Sequence, residues 1–140
     1  MSRAALSLSD YRALAEFRHQ IRAFLSFSER AARGQGIEPQ QHQLLLACKG
    51  LPEGSRPTIG MLAQRLCVEH HTAVALVDRL EASELVRRER NPEDGREVLV
   101  RITTRGEALL AALSELHREQ LLQVAPQLID VLADIVAHRR

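Results

Sequence analysis

Six arginines fall between positions 87 and 105 (Arg87, Arg88, Arg90, Arg96, Arg101 and Arg105), against four acids, Glu89, Glu93, Asp94 and Glu97. Arginine carries a flat, permanently charged fork that suits phosphates and base edges. Arg96 stands at the end of Asn91-Pro92-Glu93-Asp94-Gly95-Arg96, a run dense in turn residues. An arginine at a turn tip can enter a narrow minor groove, where the potential is most negative. The Asp94 carboxylate, two residues away, can hold the guanidinium in one pose. Upstream, His70, His71 and Thr72 offer hydrogen-bonding groups, and Val74 and Ala75 offer small apolar ones. Those are the chemistries that read base edges and thymine methyls in a major groove. Thr58, Arg79, Arg87, Arg88 and Arg90 are candidates for phosphate contacts or ion pairs.

Nothing in the sequence points to catalysis. It holds no nucleophile elbow, Gly-rich phosphate loop, HExxH or paired-carboxylate spacing. The chain therefore reads as a non-enzyme without a cofactor. His42, His70 and His71 lack metal-ligand spacing, and neighbours His70 and His71 point apart on a helix, so no metal is expected. Cys48 and Cys67 form no CxxC pair. Cys48, beside Leu44, Leu45, Leu46 and Ala47, reads as a small buried hydrophobe, and Cys67 as a turn residue. A thiol-based redox sensor is the competing reading.

These residues need elements to position them. Thr58 can cap a short helix, Ile59 to Leu66, with Leu62, Ala63 and Leu66 inward. Cys67-Val68-Glu69 is a tight turn. A second helix, about His70 to Ala82, turns Ala73, Leu76, Val77 and Leu80 inward. Two short helices with one apolar face each and a tight turn are the helix-turn-helix pattern. Leu85 to Arg90 reads as a strand, and Val98, Val100 and Ile102 alternate with Glu97, Leu99 and Arg101 as its return. The fold class is mainly α with a small β-hairpin wing, a winged helix-turn-helix plus a helical region. The bland alternative is a solvated helix face beside a hairpin whose ion pairs are worth about 0–1 kcal/mol each. Acidic Glu69, Asp78, Glu81 and Glu84 favour a further alternative, a helical protein-interaction dimer that does not bind DNA.

Flanking segments supply the rest. Ser7 or Ser9 can cap a first helix, with Leu14, Phe17, Ile21, Phe24 and Leu25 at helical spacing, that Gly34 and Gly36 stop. About two dozen residues make a rod of about 36 Å, more easily buried between two chains than inside one. Pro39 opens the second helix. Thr104 and Glu107 read as a capping box for the last helix, which Pro126 should break or sharply kink before a basic end, Arg139-Arg140. Tyr11, Phe17 and Phe24 are possible walls of a small-molecule pocket, with dimer packing as the plainer reading. His19 and His117 read as solvated or at a dimer seam. The net charge is +1, from 19 Lys+Arg and 18 Asp+Glu, which argues neither for nor against nucleic acid. No run approaches about 18 consecutive apolar residues, so no membrane-spanning helix is expected. Asp10 precedes any signal-peptide core, and a cytoplasmic protein is expected.

The runs Thr58-Ile59-Gly60-Met61-Leu62-Ala63-Gln64-Arg65-Leu66, Val77-Asp78-Arg79-Leu80-Glu81, Leu85-Val86-Arg87-Arg88, Asn91 to Val100 and Ile102-Thr103-Thr104-Arg105-Gly106 resemble the MarR family of bacterial transcription regulators. The wing is similar to that family's Asp-x-Arg signature, with Asp94 and Arg96 in place. Where the family often has glycine before the Leu-Val pair, Ser83-Glu84 stand here. The resemblance implies a homodimer with intertwined first and last helices (1–36 and 104–140) and a winged DNA-binding domain (37–103). It further implies a regulator, a repressor or an activator, on double-stranded, pseudopalindromic DNA, of a kind often released by a small, often phenolic, effector. Half-sites would lie about 34–36 Å apart.

Overall fold

The computed structural model describes residues 4–137. The basic end Arg139-Arg140 lies outside them. The elements run α1 (Leu8–Gly34), α2 (Pro39–Lys49), α3 (Ile59–Leu66), α4 (His70–Ala82), β1 (Val86–Arg90), β2 (Val98–Ile102) and α5 (Thr104–Ala137). The chain is mainly helical with one antiparallel hairpin, as expected from the sequence.

Two compact units emerge. One comprises residues 32–114; the other is the chain up to Ala31 together with that from Glu115 onward. In the first, Leu44, Leu45, Leu62, Val77, Leu80 and Val100 are among the fully buried side chains. α3 packs on α4, and α2 packs on both and on β2. In the second, Phe24 and Phe27 set their rings edge-on to His117, with centroids 5.9 and 5.6 Å away. The His117 ring shares a 2.7 Å hydrogen bond with the buried Ser28 hydroxyl. His117 is thus half-buried rather than solvated, whereas His19 is exposed.

Local chemistry explains the helix starts. Ser7 Oγ accepts from the Asp10 N–H at 3.2 Å, and the Asp10 carboxylate accepts from the Ser7 N–H at 2.8 Å. Ser7, not Ser9, is therefore the cap of α1. Thr58 Oγ1 accepts from the Met61 N–H and caps α3 as expected. At α5 the expected box is displaced by one residue. Thr103, not Thr104, is the cap: its Oγ1 accepts from the Gly106 N–H at 3.1 Å and donates to the Glu84 carbonyl at 2.7 Å. Glu107 instead pairs with Lys49 at 3.1 Å.

Three helices end in the same way. Ile37, Val68 and Leu85 each donate a backbone N–H to a carbonyl five residues back, Ala32, Ala63 and Leu80. That geometry needs a left-handed residue one position earlier. Those residues are Gly36 (φ 86°), Cys67 (φ 56°) and Glu84 (φ 62°). Only the first has the residue type that adopts this conformation without a Cβ penalty. Glu84 occupies the position where the family often carries glycine, and the backbone bends as glycine would.

Gly106 is constrained differently. A Cβ there would overlap the Leu85 carbonyl oxygen and crowd the Ile102 side chain. The start of α5 therefore lies directly on the root of the hairpin. In that hairpin Val86 faces Ile102 and Arg90 faces Val98. The expected in-out alternation of β2 is not kept, because Leu99 and Val100 are both buried. Leu99 also bridges to Thr58, so β2 has a main-chain partner along its second edge.

Pro126 does not break α5, which is helical from Thr104 to Ala137. By length and composition alone α5 would suffice to cross a membrane, contrary to the expectation from apolar run length. Its Gln123, Gln127, Asp130 and Asp134 recur at intervals of three and four, which puts a polar stripe along one side. That is the pattern of an amphipathic helix, not of one surrounded by lipid.

Candidate nucleic-acid interface

Burial of Ala73, Leu76, Val77 and Leu80 fixes which side of α4 faces out. His70, His71 and Ala75 are exposed, and Thr72 and Val74 are half-buried. The five residues selected from the sequence thus fall within the first two turns of α4.

Asp78 and Glu81 follow on the same helix. Left alone, they would give it a negative field. Arg88 of β1 meets both: Nη2 donates to Asp78 Oδ1 at 2.6 Å and Nη1 to Glu81 Oε1 at 2.8 Å. The Arg88 backbone N–H adds a third bond, to Glu81 Oε2 at 2.9 Å. That backbone bond, followed by the side-chain one, holds the Glu81 carboxyl below the usual carboxylate range. Partial burial pulls the Arg88 guanidinium down, but the hydrogen bonds to Asp78 and Glu81 outweigh it and leave its pKa raised. Of the two roles expected for Arg88, the ion pair is the one observed. Arg88 thus offsets one of the two negative charges that Asp78 and Glu81 bring to α4.

The wing carries the remaining candidates. Asp94 Oδ1 accepts from the Arg96 backbone N–H at 3.1 Å. The carboxylate therefore holds the main chain of Arg96, not its guanidinium as the sequence suggested. The head is exposed, and among the described residues no carboxylate lies within ion-pair distance of it. Arg90 Nη1 donates to the Gly95 carbonyl at 3.0 Å and braces the tip. Arg87 sits directly across from Arg101, and Glu89 lies between them at 3.5 and 3.9 Å. Arg79 is exposed on α4. Thr58 was a candidate for a phosphate contact, but its hydroxyl oxygen already caps α3. Sequence reasoning missed Arg56, whose Nη2 lies 2.9 Å from Glu97 Oε2. The two are far apart in the chain, and no local pattern joins them.

The aromatic candidates do not converge. Tyr11 is exposed, Phe17 is half-buried, and Phe24 packs on His117. A cavity of about 320 Å³ in the same unit is lined by Ser9, Arg12, Ala13, Glu16, Val131 and Asp134, and by none of the three. Cys48 donates its thiol to the Val100 carbonyl at 3.4 Å. Burial, the largest influence, pushes its pKa up to about 11. A thiol kept protonated is a poor redox sensor.

Residues 35–97, which span α2, α3, α4 and most of the wing, match the sequence model of the MarR family. Over this stretch the chain is similar to the MarR family. Members of this family are transcription regulators, not enzymes. Solved structures agree on the fold. AbsC, a MarR-family transcriptional regulator from Streptomyces coelicolor, superposes with a TM-score of 0.70 and 20% identity, over 92% of this chain and 84% of its own. A mutant MarR from E. coli complexed with operator DNA gives 0.64 and 24%, over 76% and 74%. A mutant S. aureus MepR bound to an oligodeoxyribonucleotide gives 0.65 and 21%, over 79% and 80%. No curated protein matches the chain by sequence. In residues 32–114 the wing is the β1–β2 hairpin and the candidate reading helix is α4.

Proposed function

We propose that the chain is a cytoplasmic repressor that binds double-stranded DNA sequence-specifically as a homodimer. The observation that carries this is the pairing, on one compact unit, of two features: the outer face of α4, with Asp78 and Glu81 both tied to Arg88, and the exposed guanidinium of Arg96 at the hairpin tip. A helix in the major groove and an arginine in the minor groove read complementary information. The DNA-bound E. coli and S. aureus structures share this fold and support the reading. His70, His71, Thr72, Val74 and Ala75 would meet base edges, and Arg79 and Arg87 phosphates.

Two copies are favoured by the helical unit, where Tyr11, Leu14, Ile21, Leu25, Leu122 and Ile129 lie exposed in a single chain. Surfaces of this kind are covered in a stable assembly. A two-fold pair would read a pseudopalindrome, and release by a small aromatic effector completes the proposal.

The test is selection of duplexes from a randomised pool, followed by titration against a scrambled duplex. The protein should prefer the selected sequence by at least about a thousandfold. Arg96→Ala should lose about tenfold of that affinity and lower the salt slope by about 2 per dimer. Equal binding to both duplexes would overturn DNA recognition and favour a protein-interaction dimer. A phenolic acid titrated into the complex tests release: dissociation supports it, and unchanged binding across phenolic acids removes that part.

A further inference from the structure

We infer that Glu97 is a positioning residue for the wing, fixing the aim of Arg96 by tying the base of the tip turn to the segment that precedes α3. Its effect on DNA rests on the reading above.

Glu97 follows Arg96 directly, and its side chain is only 17% exposed. Both carboxylate oxygens are occupied. Oε1 accepts from Asn91 Nδ2 at 2.7 Å, and Oε2 lies 2.9 Å from Arg56 Nη2. Asn91 is itself buried, at 8% exposure. Its backbone N–H donates to the Glu97 carbonyl at 2.9 Å, and its side-chain oxygen accepts from the Glu93 N–H at 3.0 Å. The Glu97 N–H closes the loop on the Asp94 carbonyl at 3.0 Å. The turn that displays Arg96 is therefore a ring of hydrogen bonds with Glu97 and Asn91 at its root.

Arg56 extends that ring to the helix pair. The next residue, Pro57, accepts the Val100 N–H at 2.8 Å, and Thr58 bridges to Leu99 while capping α3. The start of α3, Arg56, Glu97 and the tip thus form one connected brace.

The residue type is informative because it is costly here. A mostly buried carboxylate loses hydration, and a negative charge beside a DNA-seeking arginine repels the phosphates. A neutral side chain would avoid both. A carboxylate supplies one acceptor oxygen to each of the two donors, Asn91 Nδ2 and Arg56 Nη2. Glutamine would turn an N–H₂ group toward one of them.

The two roles of that charge have opposite signs, which makes Glu97→Gln decisive. As a brace, Glu97 predicts that the variant loses about tenfold in affinity for the selected duplex, while affinity for the scrambled duplex holds or rises. Tighter binding of both duplexes would overturn the inference and leave Glu97 as a repulsive charge only. Arg56→Gln should lose a similar factor, and the double variant no more than the worse single one. Additive losses would overturn the link and make Arg56 an independent contact. A readout without DNA is amide hydrogen exchange. Residues 91–100 should exchange faster in Glu97→Gln while α2 and α3 keep wild-type protection, and unchanged exchange in the wing would overturn the brace. If Glu97→Gln loosens the whole unit, the same measurement on Arg56→Gln decides, since that side chain is 67% exposed and its loss leaves the core intact. Wild-type protein that binds both duplexes alike would sink the DNA reading only, and hydrogen exchange would still decide the brace.

Discussion

The two units handle their apolar residues in opposite ways. Among the described residues, every buried hydrophobic side chain except Val131 belongs to residues 32–114. Every exposed large hydrophobic except Leu46 belongs to the helical unit. In α4 the apolar positions 73, 76, 77 and 80 find α2 and α3 waiting. In α1, Leu14, Ile21 and Leu25 recur at similar spacing and stay on the surface. The lesson is that periodicity reports a face seeking cover and does not say which molecule provides it. The winged unit completes its own core, whereas the helical unit is finished by something else, on our reading a second copy.

The sharpest way to break this contrast is to charge the uncovered face. Ile129→Glu changes a side chain that is 62% exposed in one chain. It should turn a dimer into monomers by sedimentation velocity and cost about a hundredfold or more in affinity for the selected duplex, because one half-site is lost. The winged unit should keep its hydrogen-exchange protection. An unchanged sedimentation coefficient would move the seam elsewhere.

A smaller effect lies inside the winged unit. Arg88→Met should return a negative field to α4 and weaken binding by about tenfold. Neutralising the acids as well, with Asp78→Asn and Glu81→Gln, should recover most of that loss; failure to recover would mean that Arg88 touches DNA itself. The same clamp has a pH signature. Because the Glu81 carboxyl is held low by Arg88, the stabilisation it brings is present above the ordinary carboxylate range. It should fade as pH falls through the folded pKa of Glu81, and Arg88→Met should flatten that acid limb in a denaturation series.

Smaller still is the left-handed strain. Glu84→Gly keeps the φ of 62° without a Cβ and should stabilise the winged unit by about 1 kcal/mol. Differential scanning calorimetry should read that as a rise of about 3 °C in Tm. A fall would mean that the Glu84 side chain, which lies 3.9 Å from Arg105, contributes more than its backbone costs. The least perturbing comparison is between the cysteines. With its pKa pushed up to about 11, Cys48 should resist iodoacetamide in the native protein at pH 8, while exposed Cys67 reacts first. Equal labelling, read by intact mass, would show that the core around Cys48 opens readily.

Much of the winged unit was legible in advance because several local signals agreed. Thr58, the Cys67-Val68-Glu69 turn and the 73-76-77-80 spacing set α3 and α4 within a residue of where they lie. The misses have tertiary causes. The Thr-x-x-Glu spacing favours Thr104, whereas the Glu84 carbonyl, distant in the chain, selects Thr103. Leu99 looks outward by alternation, yet it is buried where its strand pairs with the backbone of Thr58. Pro126 removes one donor from a long helix, and α5 continues through it. At the candidate interface, the residue types on α4 and at the wing tip could be named from the sequence, whereas the pairings of Arg88 with Asp78 and Glu81, and of Arg56 with Glu97, could not. Those bonds join segments whose separation along the chain carries no pattern.

The uncovered helical unit has a consequence for dosage. If activity needs two chains, then at scarce expression the working species grows as the square of the amount synthesised. Halving production would leave about a quarter of the active pairs, a steeper threshold than a self-sufficient monomer allows.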